Sequence, residues 1–259
     1  MDRRDGIRAA AVVVAAVAQV AGSPLGSAVA DRSVGDVSDE TGSLITPAGY
    51  AFSIWGVIFA LALAWAVYQA LPGQRSRALH RRTGWPLAAA FAGNAVWEVV
   101  FPLVGLDQPW LPVVVIFGIV AATAVAWARL QDLAPEGLDR LLPAALTGLL
   151  LGWVTIAATV NTGQAGVALG AEPTGTAAEW WAWAALLAVG LVAAALVLRA
   201  RVAGGPFAAA AVWGLVAVAV DVEPWSVALA ALVAAAAIVI ALVVRTATLR
   251  RERASLLVG

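Results

Sequence analysis

The chain has 259 residues, is 62% hydrophobic and only 12% charged, and its formal charges cancel; soluble domains are about half apolar and a quarter charged. It contains no cysteine, no lysine and a single histidine, which removes disulfides, thiolate metal sites, cysteine nucleophiles and histidine metal clusters. Most hydrolases, redox enzymes and metalloenzymes are thereby disfavoured, and the long apolar runs point to an all-α, polytopic transmembrane protein.

Apolar segments recur at 8–24, 50–71, 86–104, 110–130, 141–160, 180–198, 206–220 and 226–244. Within lipid every backbone N–H and C=O must be paired inside the segment, so these runs are read as about eight helices. The segment 206–220 is short for a bilayer of about 30 Å. Connections are short except 25–49 and 161–179, so helices adjacent in sequence are expected to be antiparallel neighbours. The Gly-, Thr- and Ala-rich stretch 161–179 is the best internal boundary. It divides a five-helix bundle (1–165) from three additional helices and a C-terminal tail (166–259).

The first segment has two readings. Arg3-Arg4, the apolar run 9–21 and Ala28-Val29-Ala30 before Asp31 fit a cleavable signal peptide; the same residues also fit a retained first helix. Orientation follows from arginine placement. With the N-terminus inside, the inner segments hold Arg3, Arg4 and Arg8, then Arg75, Arg77, Arg81 and Arg82, then Arg129 and Arg140. Arg199 and Arg201 follow, and Arg245, Arg250, Arg251 and Arg253 close the set. Of the 16 basic residues only Arg32 falls outside. The outer connections carry acids instead, among them Asp31, Asp39, Glu172, Asp221 and Glu223. Both termini are therefore expected in the cytoplasm, with the protein in the plasma membrane.

In chain order, the first stretch with chemical interest is Thr46–Pro72. A Thr-Pro-x-Gly turn signal leads into a run long enough to span, and Tyr50, Phe52 and Trp55 crowd its first two turns. Next comes Phe91–Phe101, in which Asn94, Trp97 and Glu98 stand at i, i+3 and i+4 and so share one helix face. A polar face in such a segment should turn into the bundle. Glu98 is the only acid well inside any span, with no arginine at its depth. It is either protonated, hydrogen-bonded to a neighbour such as Asn94, or wet. His80 is assigned to a basic loop. The fifth helix adds Trp153, Thr155, Thr159 and Asn161, while Gly148 and Gly152 have the spacing of close helix packing.

There are 12 tryptophans. Trp85, Trp110, Trp127, Trp180, Trp181, Trp183 and Trp225 lie at or near span ends, where an interfacial belt is the simpler reading. Trp55, Trp97, Trp153 and Trp213 lie deeper and need a partner or a cavity for the indole N–H. Taken singly, helix packing accounts for each of the deep rings. What points to a binding site is that three helices bring rings and a few polar groups to one depth in the outer half.

These motifs resemble the TspO/MBR family of tryptophan-rich sensory proteins. Pro47, Gly49-Tyr50-Ala51-Phe52 and Trp55 are similar to the aromatic start of that family's second helix. Asn94-x-x-Trp97 is similar to its third-helix motif, and Trp153 eight residues before Asn161 to its fifth. The resemblance covers about residues 8–165 and implies a five-helix bundle binding a small hydrophobic ligand, with porphyrins among the candidates. The Phe52-to-Trp55 spacing is one residue short of the family pattern, which would rotate Trp55 by about 100°, and Glu98 is foreign to it.

The sequence therefore predicts a membrane protein that binds or senses such a ligand through Tyr50, Phe52, Trp55, Asn94, Trp97, Glu98, Trp153 and Asn161. No enzyme activity, required cofactor, metal or nucleic-acid partner is expected. The lipid bilayer is the certain partner, and self-association into a homo-oligomer stays open. Two other readings compete: a proton-coupled secondary transporter using Glu98, and a structural protein of membrane assembly.

Overall fold

The computed structural model describes residues 3–249 and 253–259; Arg250 and Arg251, placed above among the inner arginines, lie outside the described residues. Eight helices are long and apolar enough to cross a membrane. They are α1 (Arg3–Ala30), α3 (Ile54–Ala70), α4 (Ala78–Val104), α5 (Trp110–Leu130), α6 (Leu146–Ala168), α7 (Thr176–Arg199), α8 (Gly204–Asp221) and α9 (Trp225–Thr248). Two short helices, α2 (Val34–Thr41) and α10 (Arg253–Leu257), lie in the connection after α1 and in the tail. Each expected span is present, including the short one at 206–220.

The connections alternate between an arginine-rich end and an acidic end. At the arginine-rich end Asp139 pairs with Arg77, Asp5 pairs with Arg81 and with Arg8, and the Ala203 N–H donates to Ser255 O at 2.7 Å. At the acidic end the Ala48 N–H donates to Ala217 O at 3.1 Å, tying the α2–α3 connection to α8.

Several local assignments are corrected. His80 is not in a loop: α4 begins at Ala78, and His80 is fully buried, accepting a hydrogen bond from Trp65 Nε1 at 3.3 Å. Trp127 is not an interfacial ring but is buried against Phe207, with ring centroids 5.4 Å apart. The helix expected to stop near 160 continues to Ala168, so the boundary after residue 165 falls inside α6. The helix α2 was not anticipated, although its N-terminus is a capping box. The Ser33 N–H and hydroxyl both donate to the Asp36 carboxylate, at 2.7 and 2.8 Å, and hold it below the usual carboxylate range. Gly42 closes α2 in the left-handed conformation at φ 58°, where a side chain would strain.

The apolar core has two parts that meet on α6. One is built by α1, α3, α4 and α5 with residues such as Trp65, Phe91, Leu150 and Val154. The other is built by α7, α8 and α9 with residues such as Leu186, Phe207 and Ile238, and it takes Leu151 and Ile156 from α6. Accordingly 78% of the membrane-crossing stretch of α6 is buried, against at most 50% for any other span. The seam between α6 and α8 is made by glycines, as their spacing suggested. A Cβ on Gly148 would stand 2.6 Å from Ala203 O, and one on Gly152 would collide with Phe207 O. A second seam joins α1 to α4, where a Cβ on Gly22 would stand 3.0 Å from Glu98 Cβ. Small residues at such crossings let helix backbones touch, which is how helices associate in lipid. With Val12, Ala16 and Gln19 buried along it, α1 forms a wall of the bundle.

Gly152→Val is expected to force α6 from α8 and to destabilise the protein by about 1–3 kcal/mol, the usual cost of overpacking. Thermal unfolding in detergent should show a lowered midpoint relative to Gly166→Val, the same change at a glycine of the same helix where nothing lies within 4 Å of the added Cβ.

Candidate functional site

Four transmembrane helices and the short α2 enclose a cavity at the acidic end of the front bundle. Its walls come from Phe52 and Trp55 of the α3 start, Asn94, Trp97 and Phe101 of α4, Ile116 of α5, and Trp153 and Asn161 of α6; Val34 and Ser38 of α2 roof it. Of the eight residues proposed from sequence, six line this cavity: Phe52, Trp55, Asn94, Trp97, Trp153 and Asn161.

The aromatic part is organised on Trp153. Phe52 and Trp55 both meet its ring edge-on, with centroids 6.1 and 6.2 Å away and interplanar angles of 83° and 88°. The short spacing from Phe52 to Trp55 does not turn Trp55 away. Phe52 sits in the 3₁₀ turn Gly49–Ser53 and Trp55 in the first turn of α3, and across that junction both rings reach Trp153. Trp55 also stacks on Phe59 at 5.3 Å, and Trp97 on Phe101 at 4.8 Å.

The polar part is a chain of side-chain hydrogen bonds across three helices. Trp97 Nε1 donates to Asn161 Oδ1 at 2.8 Å, and Asn161 Nδ2 donates to Gln164 Oε1 at 3.4 Å. Gln164 Nε2 then donates to Ser38 Oγ at 2.6 Å. The chain ties α4 to α6 and α6 to the α2 roof, with every member buried. Asn94 donates instead to Gln19 Oε1 of α1 at 3.2 Å. Two buried donors here are left over: Gln19 Nε2 and, on the cavity wall, Trp153 Nε1 have no hydrogen-bond partner among the described residues, and Trp153 is only 2% exposed. Its Cζ3 corner faces Gly214 of α8, so the N–H on the opposite edge turns away from α8.

Two residues proposed from sequence stand elsewhere. Tyr50 is exposed and meets Trp213 edge-on at 5.3 Å, while Trp213 Nε1 donates to Ala51 O at 3.0 Å. Both therefore serve the junction of the α3 start with α8. Glu98 is buried, but in the α1–α4 seam against Gly22, with the Ser23 side chain as its hydrogen-bonding neighbour rather than Asn94. The i+4 step from Asn94 carries it past the cavity wall. Thr155 and Thr159 also turn from the cavity and bond back to Leu151 O and Thr155 O of their own helix.

Sequence reasoning missed Gln19, Ser38 and Gln164. Gln164 lies one turn after Asn161, and that i+3 spacing would have flagged it had the helix been carried past residue 160. Gln19 is the one polar residue in the apolar run 9–21, and that exception is the signal that would have flagged it. Ser38 sits in a connection with no expected helix and left no comparable trace.

The cavity encloses about 20 Å³, room for a water-sized molecule and far below the 300–1,000 Å³ of a small-molecule pocket. A larger ligand enters only by displacing the rings or the α2 roof. No basic or acidic side chain lines it. Among the described residues no three His, Cys, Asp or Glu side chains converge as metal ligands.

The family described as TSPO-like protein matches residues 7–244, a range that takes in α7 and α8 and most of α9 as well as the front bundle. No curated protein and no solved structure matches the chain.

Trp97→Phe keeps the stack on Phe101 but leaves Asn161 Oδ1 buried without its donor. Side-chain hydrogen bonds within a membrane bundle are worth about 0.5–2 kcal/mol, and a loss in that range is expected from unfolding in mild detergent. Adding Asn161→Leu should not restore stability, because it removes the orphaned acceptor but takes the Nδ2 donor from buried Gln164 Oε1.

Proposed function

The chain belongs to the TSPO-like protein family, and from that premise we propose that this integral membrane protein binds a small aromatic, hydrophobic ligand in the cavity walled by Phe52, Trp55, Trp97 and Trp153. The observation that carries the reading is the buried, unpartnered N–H of Trp153 among edge-on rings. Buried donors are nearly always paired, so an orphan in a ring-lined cavity marks where a ligand acceptor would bond. The rings supply stacking surface, and the Trp97–Asn161–Gln164–Ser38 chain sets the cavity's polar rim.

The family resemblance brings a tetrapyrrole forward as one ligand. Its flat ring suits the aromatic walls, but its carboxylates would have to point out of the cavity, because no basic side chain lines it. An uncharged ring bearing one hydrogen-bond acceptor suits the site better. We read the protein as a binder or sensor rather than an enzyme. The arginine-rich end is placed in the cytoplasm by the positive-inside rule, with the cavity in the outer half of the plasma membrane.

The test is a titration of the purified protein in detergent with protoporphyrin, followed by the porphyrin's own absorbance, and with an uncharged aromatic ketone in competition. Saturable one-site binding is expected, weakened about tenfold or more by Trp153→Ala. Trp153→Phe should keep most of the porphyrin affinity and lose most of the ketone's. Binding of neither compound, or binding indifferent to both substitutions, would remove the cavity as the site.

A further inference from the structure

A second concavity lies on the other side of α6, outside the cavity just described. It is a mostly apolar groove of about 490 Å³ between the ends of α6 and α7, with Gly163, Gly166, Val167 and Trp181 among its lining and Glu172 as its one charged residue among those described. Its size is that of a small-molecule site. The floor is built by two glycines one turn apart that do different things. A Cβ on Gly163 would stand 3.0 Å from the Trp181 ring, so Trp181 is seated directly on α6 there. Around Gly166 nothing lies within 4 Å, and the groove is open.

The groove is continuous with a polar cleft of about 470 Å³, because Ser43 and Leu44 line both. The cleft contains the carboxylates of Asp39, Asp221 and Glu223 and no basic side chain. The one arginine of the acidic end, Arg32, is held by Glu40 at 3.1 Å. Hydroxyls without partners also face this junction. Ser43 is nine-tenths buried and its side chain makes no hydrogen bond among the described residues. The Thr46 Oγ1, on the cleft wall, is buried and equally unpartnered. The three carboxylates are exposed, and a cationic donor suits them and the unpaired hydroxyls together.

We propose that groove and cleft form one two-part site for a cationic amphiphile. An aromatic ring or short alkyl chain lies over Gly166 and against Trp181, and a protonated amine sits among Asp39, Asp221 and Glu223. The ammonium offers three donors, enough for a carboxylate and the Ser43 and Thr46 hydroxyls together, and the indole face of Trp181 adds attraction for the cation's approach. Anionic amphiphiles are rejected by the same carboxylates. The site needs α7 and the α8–α9 connection, so the three back helices help to build it. It borders the aromatic cavity only at Ser38.

The test uses the full chain in phosphatidylcholine nanodiscs at pH 7, with empty discs subtracted. Three probes of equal ring size are compared by equilibrium dialysis: 1-naphthylmethylamine, 1-naphthalenemethanol and 1-naphthoate. The amine is expected to bind one saturable site at least tenfold more tightly than the alcohol, with the carboxylate weakest. Gly166→Leu, which fills open space and favours the helix, should weaken the amine at least tenfold. Asp39→Asn, Asp221→Asn and Glu223→Gln together should bring amine and alcohol to within about twofold of each other. Trp153→Phe, in the aromatic cavity, should leave amine binding unchanged. Equal binding of amine and alcohol by the unmodified protein would overturn the proposal, as would a Gly166→Leu protein that binds the amine normally. Loss of amine binding in Trp153→Phe alone would move the ligand to the aromatic cavity and overturn it too.

Discussion

Everything in this protein depends on α6 being shared. In lipid the hydrophobic effect does not drive helices together, so association relies on close packing and interhelical hydrogen bonds. Gly148 and Gly152 provide the packing by letting α8 touch the α6 backbone. The opposite face of the same helix carries Trp153 and Asn161 into the aromatic cavity. A helix committed on both sides cannot rotate or slide to suit one of them. The π turn Arg140–Ala145 that leads into it contains Pro143, which has no N–H to give to the helical ladder. That irregular turn sets the rotation with which α6 presents its glycines one way and its tryptophan the other.

The cavity inherits its geometry from this arrangement. Trp153 is held from behind by α8 and becomes the surface on which Phe52 and Trp55 are placed. The α3 start that carries those two rings is itself tied to α8 through Ala48–Ala217 and Trp213–Ala51. Back helices thus fix front-bundle side chains from two directions. The polar chain from Trp97 to Ser38 closes the acidic-end side, while the neighbouring Trp153 N–H stays unpartnered among the described residues.

The broad architecture was legible because hydropathy and arginine placement are long-range averages that single residues barely perturb. Eight spans and their alternation follow from them. Asn94, Trp97, Trp153 and Asn161 were found because helical spacing brings chemically unusual residues onto faces that lipid would reject. The failures are of another kind. Glu98 shares a face with Asn94 by spacing, yet the α1 glycines come close enough to claim it, and a partner's small residues leave no mark on α4's own sequence. Trp55 looked misplaced because one regular helix was assumed across the junction between the 3₁₀ turn that holds Phe52 and the α-helix that holds Trp55. Ser38 and Tyr50 were decided by contacts with elements more than a hundred residues away, which no local pattern encodes.

The two hydrogen bonds from the α3 start to α8 also bear on how the protein is made. The chain emerges in order, so the first five spans are in the bilayer well before Ala217 and Trp213 are synthesised. Until then the aromatic turn at Gly49–Ser53 lacks the partners that hold it, and the glycine face of α6 looks onto lipid instead of α8. A chain cut after the fifth span would lack both hydrogen bonds and would leave the glycine face of α6 without α8, so the cavity's aromatic entry is completed from the far end of the polypeptide.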